Sequence, residues 1–165
     1  MLNDQHIRDL ISQPKLIVDK DPVRGYREEH RQRRCDLQLE RVSDGNLCFS
    51  VFVRQNLTFI ENFSVGLRYR TGDPVMPIVT LTRYNGPHGE FSTQPDQHYA
   101  QPHIHRVTEV EMSSGSAHPQ ERHRALTARY STFEECLRAF FFDARVQNFS
   151  DYFPGLGQGR LFDGY

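Results

Sequence analysis

Six residues between positions 83 and 105 combine the side-chain types that acid–base and phosphate chemistry use. They are Arg83, Asn85, His88, His98, His103 and His105. His103 and His105 form the closest pair, and residues two apart in a β-strand point to the same face of the sheet. Imidazole titrates near neutral pH, so one ring can accept a proton while another donates one. The spacing therefore predicts two imidazoles on one surface.

Cleavage of RNA without a metal ion is the reaction that this set favours. A base removes the proton of the ribose 2′-OH, which attacks the adjacent phosphate, and an acid protonates the leaving oxygen. We predict that His103 and His105 are this acid–base pair, with His88 as an auxiliary donor. Arg83 and Arg54 are predicted to stabilise the charge on the phosphate. The residues predicted to bind the rest of the substrate are Tyr84, Asn85, Arg68 and His98.

Two other interpretations of the histidines stay open. An HxH pair on a strand, supported by His88 and His98, is also a ligand set for zinc, iron or nickel. Glu90 and Asp96 are the carboxylate candidates beside it. Surface histidines without a function are common, and HxH alone is a weak motif. We predict neither a bound metal nor a cofactor.

Composition argues against several classes of protein. The 165-residue chain has a net charge of −1, so it lacks the basic excess of a general nucleic-acid binder. Its three cysteines are widely spaced and form no CxxC motif, which argues against a disulfide framework or a zinc ribbon and fits a reducing compartment. The first 15 residues contain no long apolar run, which predicts a cytoplasmic protein without a signal peptide or membrane span.

Hydrophobic periodicity predicts an α+β fold, with a single domain over residues 1–165. An antiparallel meander of about five strands is expected within residues 35–112. The predicted strands are 35–42, 47–54, 63–70, 76–84 and 103–112. Pro77 indicates that the fourth strand begins at or near a sheet edge.

One helix is predicted before the strands in the sequence and one after them. A short N-terminal helix is expected over residues 3–12. A C-terminal helix over residues 131–147 should cover one face of the sheet, and Thr132 and Glu135 have the spacing of a capping box at its start. Residues 19–34 are interpreted as a loop or a strongly solvated element. The segments interpreted as loop or irregular structure are 86–102, 113–124 and 148–165.

Several stretches resemble a bacterial family of small proteins of unknown function. The segments VFVRQN, ENFSVGLRY, LTRYNGPHG and QPHIHR carry this resemblance, which extends over roughly residues 35–142. The layout RYNGPHG followed by PHIHR is also similar to the TumE-type toxins of bacterial toxin–antitoxin pairs. The positions that match the polar set of those toxins are Arg83, Tyr84, Asn85, His88, His103 and His105. This resemblance implies an RNA-directed toxin activity and a cognate antitoxin as partner.

A non-catalytic interaction protein, such as an accessory factor of a mobile element or phage, is the alternative from a different class. Its partner would bind aromatic residues of the C-terminal tail, since such side chains anchor many protein interfaces. The anchor residues predicted for that alternative are Tyr152, Phe153, Leu161, Phe162 and Tyr165.

Overall fold

The computed structural model describes residues 2–19, 27–88, 100–115 and 123–157. Within these ranges the chain forms one antiparallel sheet of eight strands with helices against it, which confirms the predicted α+β class. The sheet has more strands than the five that the sequence predicted. In the described part of the chain, no helix is both long enough and apolar enough to cross a membrane.

The strands follow one another across the sheet as the predicted meander requires. They are β1 (Lys15–Ile17), β2 (Arg27–Glu29), β3 (Gln32–Arg41), β4 (Phe49–Asn56), β5 (Phe63–Arg70), β6 (Ile78–Asn85), β7 (His103–Arg106) and β8 (Arg124–Leu126). The order across the sheet is β1-β3-β4-β5-β6-β7-β8, and β2 also pairs with β3. From β3 to β8, each strand therefore lies beside its predecessor.

Helices cover one face of this sheet, which is apolar because apolar and polar residues alternate along the strands. The helices are α1 (Asp4–Ser12), α2 (Glu109–Ser113), α3 (Phe133–Asp143), α4 (Phe149–Tyr152) and α5 (Pro154–Gly157). Along β3, Leu37 and Leu39 are buried, whereas Asp36 and Gln38 are exposed. α3 packs its apolar stripe on the buried face, because residues three and four apart share one side of a helix. The stripe consists of Phe133, Leu137, Phe140 and Phe141, all of which are buried.

Side-chain caps define the starts of the two longer helices. Asn3 Oδ1 accepts a hydrogen bond of 2.8 Å from the backbone of the first turn of α1. At α3, Thr132 Oγ1 accepts from the Glu135 N–H at 3.2 Å, and the Glu135 carboxylate accepts from the Thr132 N–H at 3.1 Å. This reciprocal pair confirms the predicted capping box. α3 is shorter than the predicted helix over 131–147, because it ends at Asp143.

Residues 27–34 of the polar segment after α1 form a largely exposed hairpin, which fits the interpretation as a solvated element and not the interpretation as a loop. Residues 27–29 pair with residues 32–34. His30 and Arg31 form the two-residue turn, with φ angles of 49° and 61°. Turns with this left-handed backbone favour Gly and Asn. Because neither residue type stands at the turn, the sequence lacks the usual signal for it.

The predicted fifth strand is wrong beyond Arg106. Thr108 caps the start of α2 there, and Thr108 and Glu111 form a second capping box. The expectation from Pro77 agrees with the described pairing, because residues 78–80 at the start of β6 pair only with β5, and β7 pairs with β6 only from Thr82 onward. Pro77 directly precedes the first residue of β6, so its missing N–H removes no hydrogen bond from the strand itself.

Two segments that were interpreted as irregular contain short regular elements. Residues 124–126, which begin at the end of the predicted loop 113–124, form β8 against β7. The tail that begins at residue 148 forms α4 and α5 before the described residues end at 157. Such short elements carry too few residues for a periodic signal, and they form because the rest of the fold supplies their partners.

A polar network joins α3 to β6. The Tyr84 hydroxyl donates a hydrogen bond to the Asp143 carboxylate, and Arg129 donates two more at 2.5 and 2.8 Å. Burial alone would raise the pKa of the Asp143 carboxyl, but the hydrogen bonds from Arg129 and Tyr84 outweigh it and hold that pKa below its usual value. The carboxylate is therefore ionised at neutral pH.

We expect Asp143→Asn to lower the free energy of unfolding by about 1–3 kcal/mol at pH 7, because the charged acceptor of this network is lost. A carboxyl whose pKa is lowered by folding stabilises the protein above its unfolded-state pKa, and this contribution is lost as the pH falls through the folded-state pKa. The difference between wild type and variant should therefore shrink below about pH 4. Urea unfolding at pH 7 and pH 3 measures it. An equal difference at both pH values would contradict the ionic role of Asp143.

Candidate active site

The registers of β6 and β7 put four of the predicted residues on one face of the sheet. Arg83 pairs with His105, and Asn85 pairs with His103. Directly opposed residues of an antiparallel pair point to the same side. We call this side, which faces away from α3, the polar face. Tyr84 lies between Arg83 and Asn85 on β6 and points to the other side, where its ring is buried against α3.

A backbone hydrogen bond sets the tautomer of His103. Its Nδ1 lies 2.9 Å from the carbonyl oxygen of Gln101. A carbonyl oxygen can only accept, so Nδ1 carries a hydrogen and the neutral ring has its lone pair on Nε2. The side chain is fully buried. Nε2 is therefore the ring nitrogen of His103 that can accept a hydrogen bond.

Two side chains converge on His103 Nε2. Asn85 Nδ2 lies 3.2 Å from it, and His88 Nε2 lies 3.3 Å from it. His88 reaches this position because Gly86 lets the chain pass close to the β4–β5 connection. A Cβ atom on Gly86 would lie 2.0 Å from the carbonyl oxygen of Glu61. His88 is half-buried, so it is the more accessible imidazole of the pair.

His105 completes a row of three imidazoles. Its ring centroid lies 5.0 Å from that of His103, and the centroids of His88 and His103 lie 5.1 Å apart. His105 is only 4% exposed. The structure thus brings the three histidines together, but it buries the two that we predicted as the acid–base pair. Within this cluster, His88 and Arg83 are the half-buried members.

Arg54 and Arg68 share the polar face but form a second cluster around Phe52. The guanidinium carbons of Arg68 and Arg54 lie 4.5 and 5.7 Å from the centre of the Phe52 ring. Arg54 also donates two hydrogen bonds of 2.8 Å to the Asp36 carboxylate. Arg54 is three strands away from His103, which is about 14 Å at the usual strand spacing. The structure therefore does not bring Arg54 to the imidazoles.

The polar face is cationic across most of the sheet. Its arginines on strands β4 to β8 are Arg54, Arg68, Arg70, Arg83 and Arg124. In these five described strands, no Asp or Glu points to the polar face, and the carboxylates that the described strands supply to it lie at the other end of the sheet, Asp36 and Glu40 on β3 and Glu29 on β2. Several guanidinium groups on one surface attract an anionic ligand.

The described residues hold no group of three or more His, Cys, Asp or Glu side chains that is arranged as a metal site. His98, Glu90 and Asp96, which the sequence offered as further ligands, lie outside the described residues. The same holds for His98 as a predicted substrate-binding residue. Among the described residues, the groups near the imidazole row are therefore those on β6 and β7 and the loop residue His88.

Two of the aromatic residues predicted to anchor a partner belong to the fold. The Phe153 ring is buried, 5.2 Å from that of Phe141, and the Tyr152 hydroxyl donates to the Asp19 carbonyl oxygen at 2.6 Å. Both side chains therefore stabilise the contact between the tail and the body of the protein. Leu161, Phe162 and Tyr165 lie outside the described residues.

Sequence reasoning missed two residues that contact side chains of the polar face. Gln101 acts through its backbone carbonyl, which every residue has, so no sequence signal could have found it. Phe52 left a signal, because it is an apolar residue at a polar-face position of β4. It lies opposite Gly66, where a Cβ atom would come within 2.3 Å of the Phe52 ring.

Comparisons of the chain with protein-family models, with curated proteins and with solved structures find no match. Two observations bear on function, the geometry of the polar face and the resemblance of the segments around residues 83–106. Both concern the same cluster of one arginine, one asparagine and three histidines.

Proposed function

We propose that the protein is a toxin-like ribonuclease that cleaves RNA at the polar face without a metal ion. The observation that carries the proposal is the contact of 3.3 Å between Nε2 of His88 and Nε2 of His103, on the face that also holds Arg83. A base held by a hydrogen-bonding partner, together with a nearby cation, is the arrangement that acid–base cleavage of a phosphodiester needs. The resemblance to TumE-type toxins, which the same residues carry, supports the same class of reaction.

His88 is the base in this proposal, and His103 is a positioning residue. Because Nδ1 of His103 donates to Gln101, Nε2 of His103 accepts the Nε2–H of His88. The neutral His88 ring then carries its lone pair on Nδ1, which takes the proton of the 2′-OH. The imidazolium that forms keeps its hydrogen bond to His103. This differs from the sequence prediction, in which His103 and His105 are the acid–base pair.

The reaction is an attack of the ribose on its own phosphate. The 2′ oxygen forms a bond to phosphorus, and the bond from phosphorus to the 5′ oxygen of the next nucleotide breaks. His88 takes the proton of the 2′-OH, and the leaving oxygen gains a proton from an acid. His105, the third imidazole of the row, is the candidate for this acid. Arg83, which pairs with His105 across the strands, stabilises the extra charge on the phosphate oxygens.

The cationic polar face supports an RNA substrate, since RNA presents a regular series of phosphates. Arg54 and Arg68 lie too far from the imidazoles for the reacting phosphate, but they are placed to contact neighbouring phosphates of the same strand. The proposal includes a cognate antitoxin, as the resemblance implies, and a site of action in the cytoplasm.

Inducible expression in a bacterial host tests the proposal. Wild type should arrest growth and degrade total RNA on a gel, and the His103→Ala/His105→Ala double variant should do neither. His88→Ala provides a second inactive variant in case the double variant does not fold. His6→Ala, which is exposed on α1, is the matched control and should act as wild type does. Normal growth and intact RNA with wild type would overturn the ribonuclease and favour the non-catalytic interaction protein.

A further inference from the structure

We infer that His88 and His103 also form a binding site for a divalent transition-metal ion such as Zn²⁺. The first observation is a competition between donors. The neutral His103 ring offers a single lone pair on Nε2, yet Asn85 Nδ2 and His88 Nε2 lie 3.2 and 3.3 Å from that one atom. Two N–H groups cannot both make a good hydrogen bond to it. A cation held between the two Nε2 atoms removes this competition.

The separation of the two nitrogen atoms is the second observation. Zinc–imidazole bonds of about 2.0–2.1 Å at a tetrahedral angle put two ligand nitrogens about 3.3 Å apart. The Nε2 atoms of His88 and His103 are 3.3 Å apart. With the His88 hydrogen moved to Nδ1, the Nε2 atom of each ring carries a lone pair that can bind the same ion. Imidazole is a preferred ligand of zinc, copper and nickel.

The surroundings of His103 already match those of a metal-bound histidine. Ligand histidines commonly donate the hydrogen of the other ring nitrogen to a backbone carbonyl or a carboxylate, which fixes the ring and strengthens the ligand. His103 does so through Nδ1 and the Gln101 carbonyl at 2.9 Å. The ring therefore needs no rearrangement to bind an ion through Nε2.

Asn85 and water complete the coordination of such an ion. Turning the Asn85 amide by half a turn exchanges its nitrogen and oxygen, and puts Oδ1 beside His103 Nε2. The described residues supply no third His, Cys, Asp or Glu to this site. We therefore expect weaker binding than at a structural zinc site with four protein ligands.

A bound ion would occupy the lone pair that His103 offers to His88. Zinc would then inhibit RNA cleavage, and this consequence rests on the proposed function. The binding itself does not rest on it, because it follows from the positions of the two Nε2 atoms. A measurement without RNA therefore separates the two proposals.

Calorimetric titration of the metal-free full chain with Zn²⁺ tests the inference. We expect one ion per chain, and binding at least about tenfold weaker in His88→Ala because one of two nitrogen ligands is lost. The exposed His6→Ala and His30→Ala are matched controls and should bind as wild type does. His88→Gln replaces His88→Ala if thermal unfolding shows that the alanine variant is destabilised.

The ring signals of His88 and His103 in NMR spectra should shift together when Zn²⁺ is added to wild type. Absence of saturable binding to wild type would overturn the inference. Equal affinity in wild type and in a folded His88 variant would overturn it as well, since the ion would then bind elsewhere. Zinc binding by a chain that does not cleave RNA would leave the inference standing and count against the ribonuclease alone.

Discussion

Replacing His88 by alanine is expected to lower kcat for RNA cleavage by about 10²–10⁴-fold, the range for loss of a general acid or base. His88 is half-buried and lies in the chain just after β6, so the sheet should keep most of its stability. Cleavage of a short RNA by the purified chain in EDTA measures kcat and KM, and thermal unfolding measures stability. Equal kcat values for wild type and His88→Ala would contradict the proposed base.

The comparison with His103 separates a base from a positioning residue. His103→Asn should lower kcat with little change in KM, because in the proposal this ring does not touch the substrate. It should also leave the Zn²⁺ affinity lower than that of wild type, since one nitrogen ligand is lost. A fall in thermal stability without a change in kcat would instead show that His103 has only a structural role.

Replacing Lys15 by methionine is expected to lower the free energy of unfolding by about 3 kcal/mol, because each buried acceptor left without a donor costs about 1–3 kcal/mol. Lys15 is fully buried. Its Nζ donates to the carbonyl oxygens of Ile11, Gln13 and Ala144 at 2.8, 2.7 and 3.0 Å. These carbonyls lie at the C-terminal ends of α1 and α3, where the helix dipole favours a cation. Methionine fills the space but leaves all three acceptors without a donor.

Urea unfolding of the two proteins measures this effect, and Arg8→Met, a similar change at an exposed position of α1, is the control. Arg8→Met should change the free energy of unfolding by less than about 0.5 kcal/mol. Lys15→Arg should also destabilise the protein, because a planar guanidinium does not fit three carbonyls that converge on one point. If Lys15→Met lowered the free energy of unfolding by less than about 1 kcal/mol, the hydrogen bonds from Lys15 to the ends of α1 and α3 would not stabilise the fold as proposed.

The same residue predicts a pH dependence. Burial lowers the pKa of Lys15 from 10.5 to about 7. Between these two values the unfolded chain binds more protons than the folded protein, so stability rises with pH in this window. The free energy of unfolding of wild type should therefore rise, relative to that of Lys15→Met, between pH 7 and pH 10. If the difference in free energy of unfolding between wild type and Lys15→Met did not change with pH, Lys15 would have the same pKa in the folded protein as in the unfolded chain.

Signals between neighbouring residues predicted much of the secondary structure. The predicted strand 63–70 is β5 with the same bounds, and Thr132 and Glu135 form the predicted capping box. Alternation and capping depend on residues close in sequence, so the chain carries them without reference to its partners. The short strands β1 and β8 were missed, because three residues carry no periodic signal. Their pairing depends on strands distant in sequence.

The sequence by itself determined that the chemical residues are concentrated around β6 and β7, and that His103 and His105 share a face. Only the tertiary structure decided which face this is and which other residues stand on it. A register shift of one residue would turn every side chain of a strand to the other side. The register is set by packing on α3 and by pairing between distant strands. This packing buries Tyr84, places Arg54 three strands from the imidazoles, and brings His88 within hydrogen-bond distance of His103.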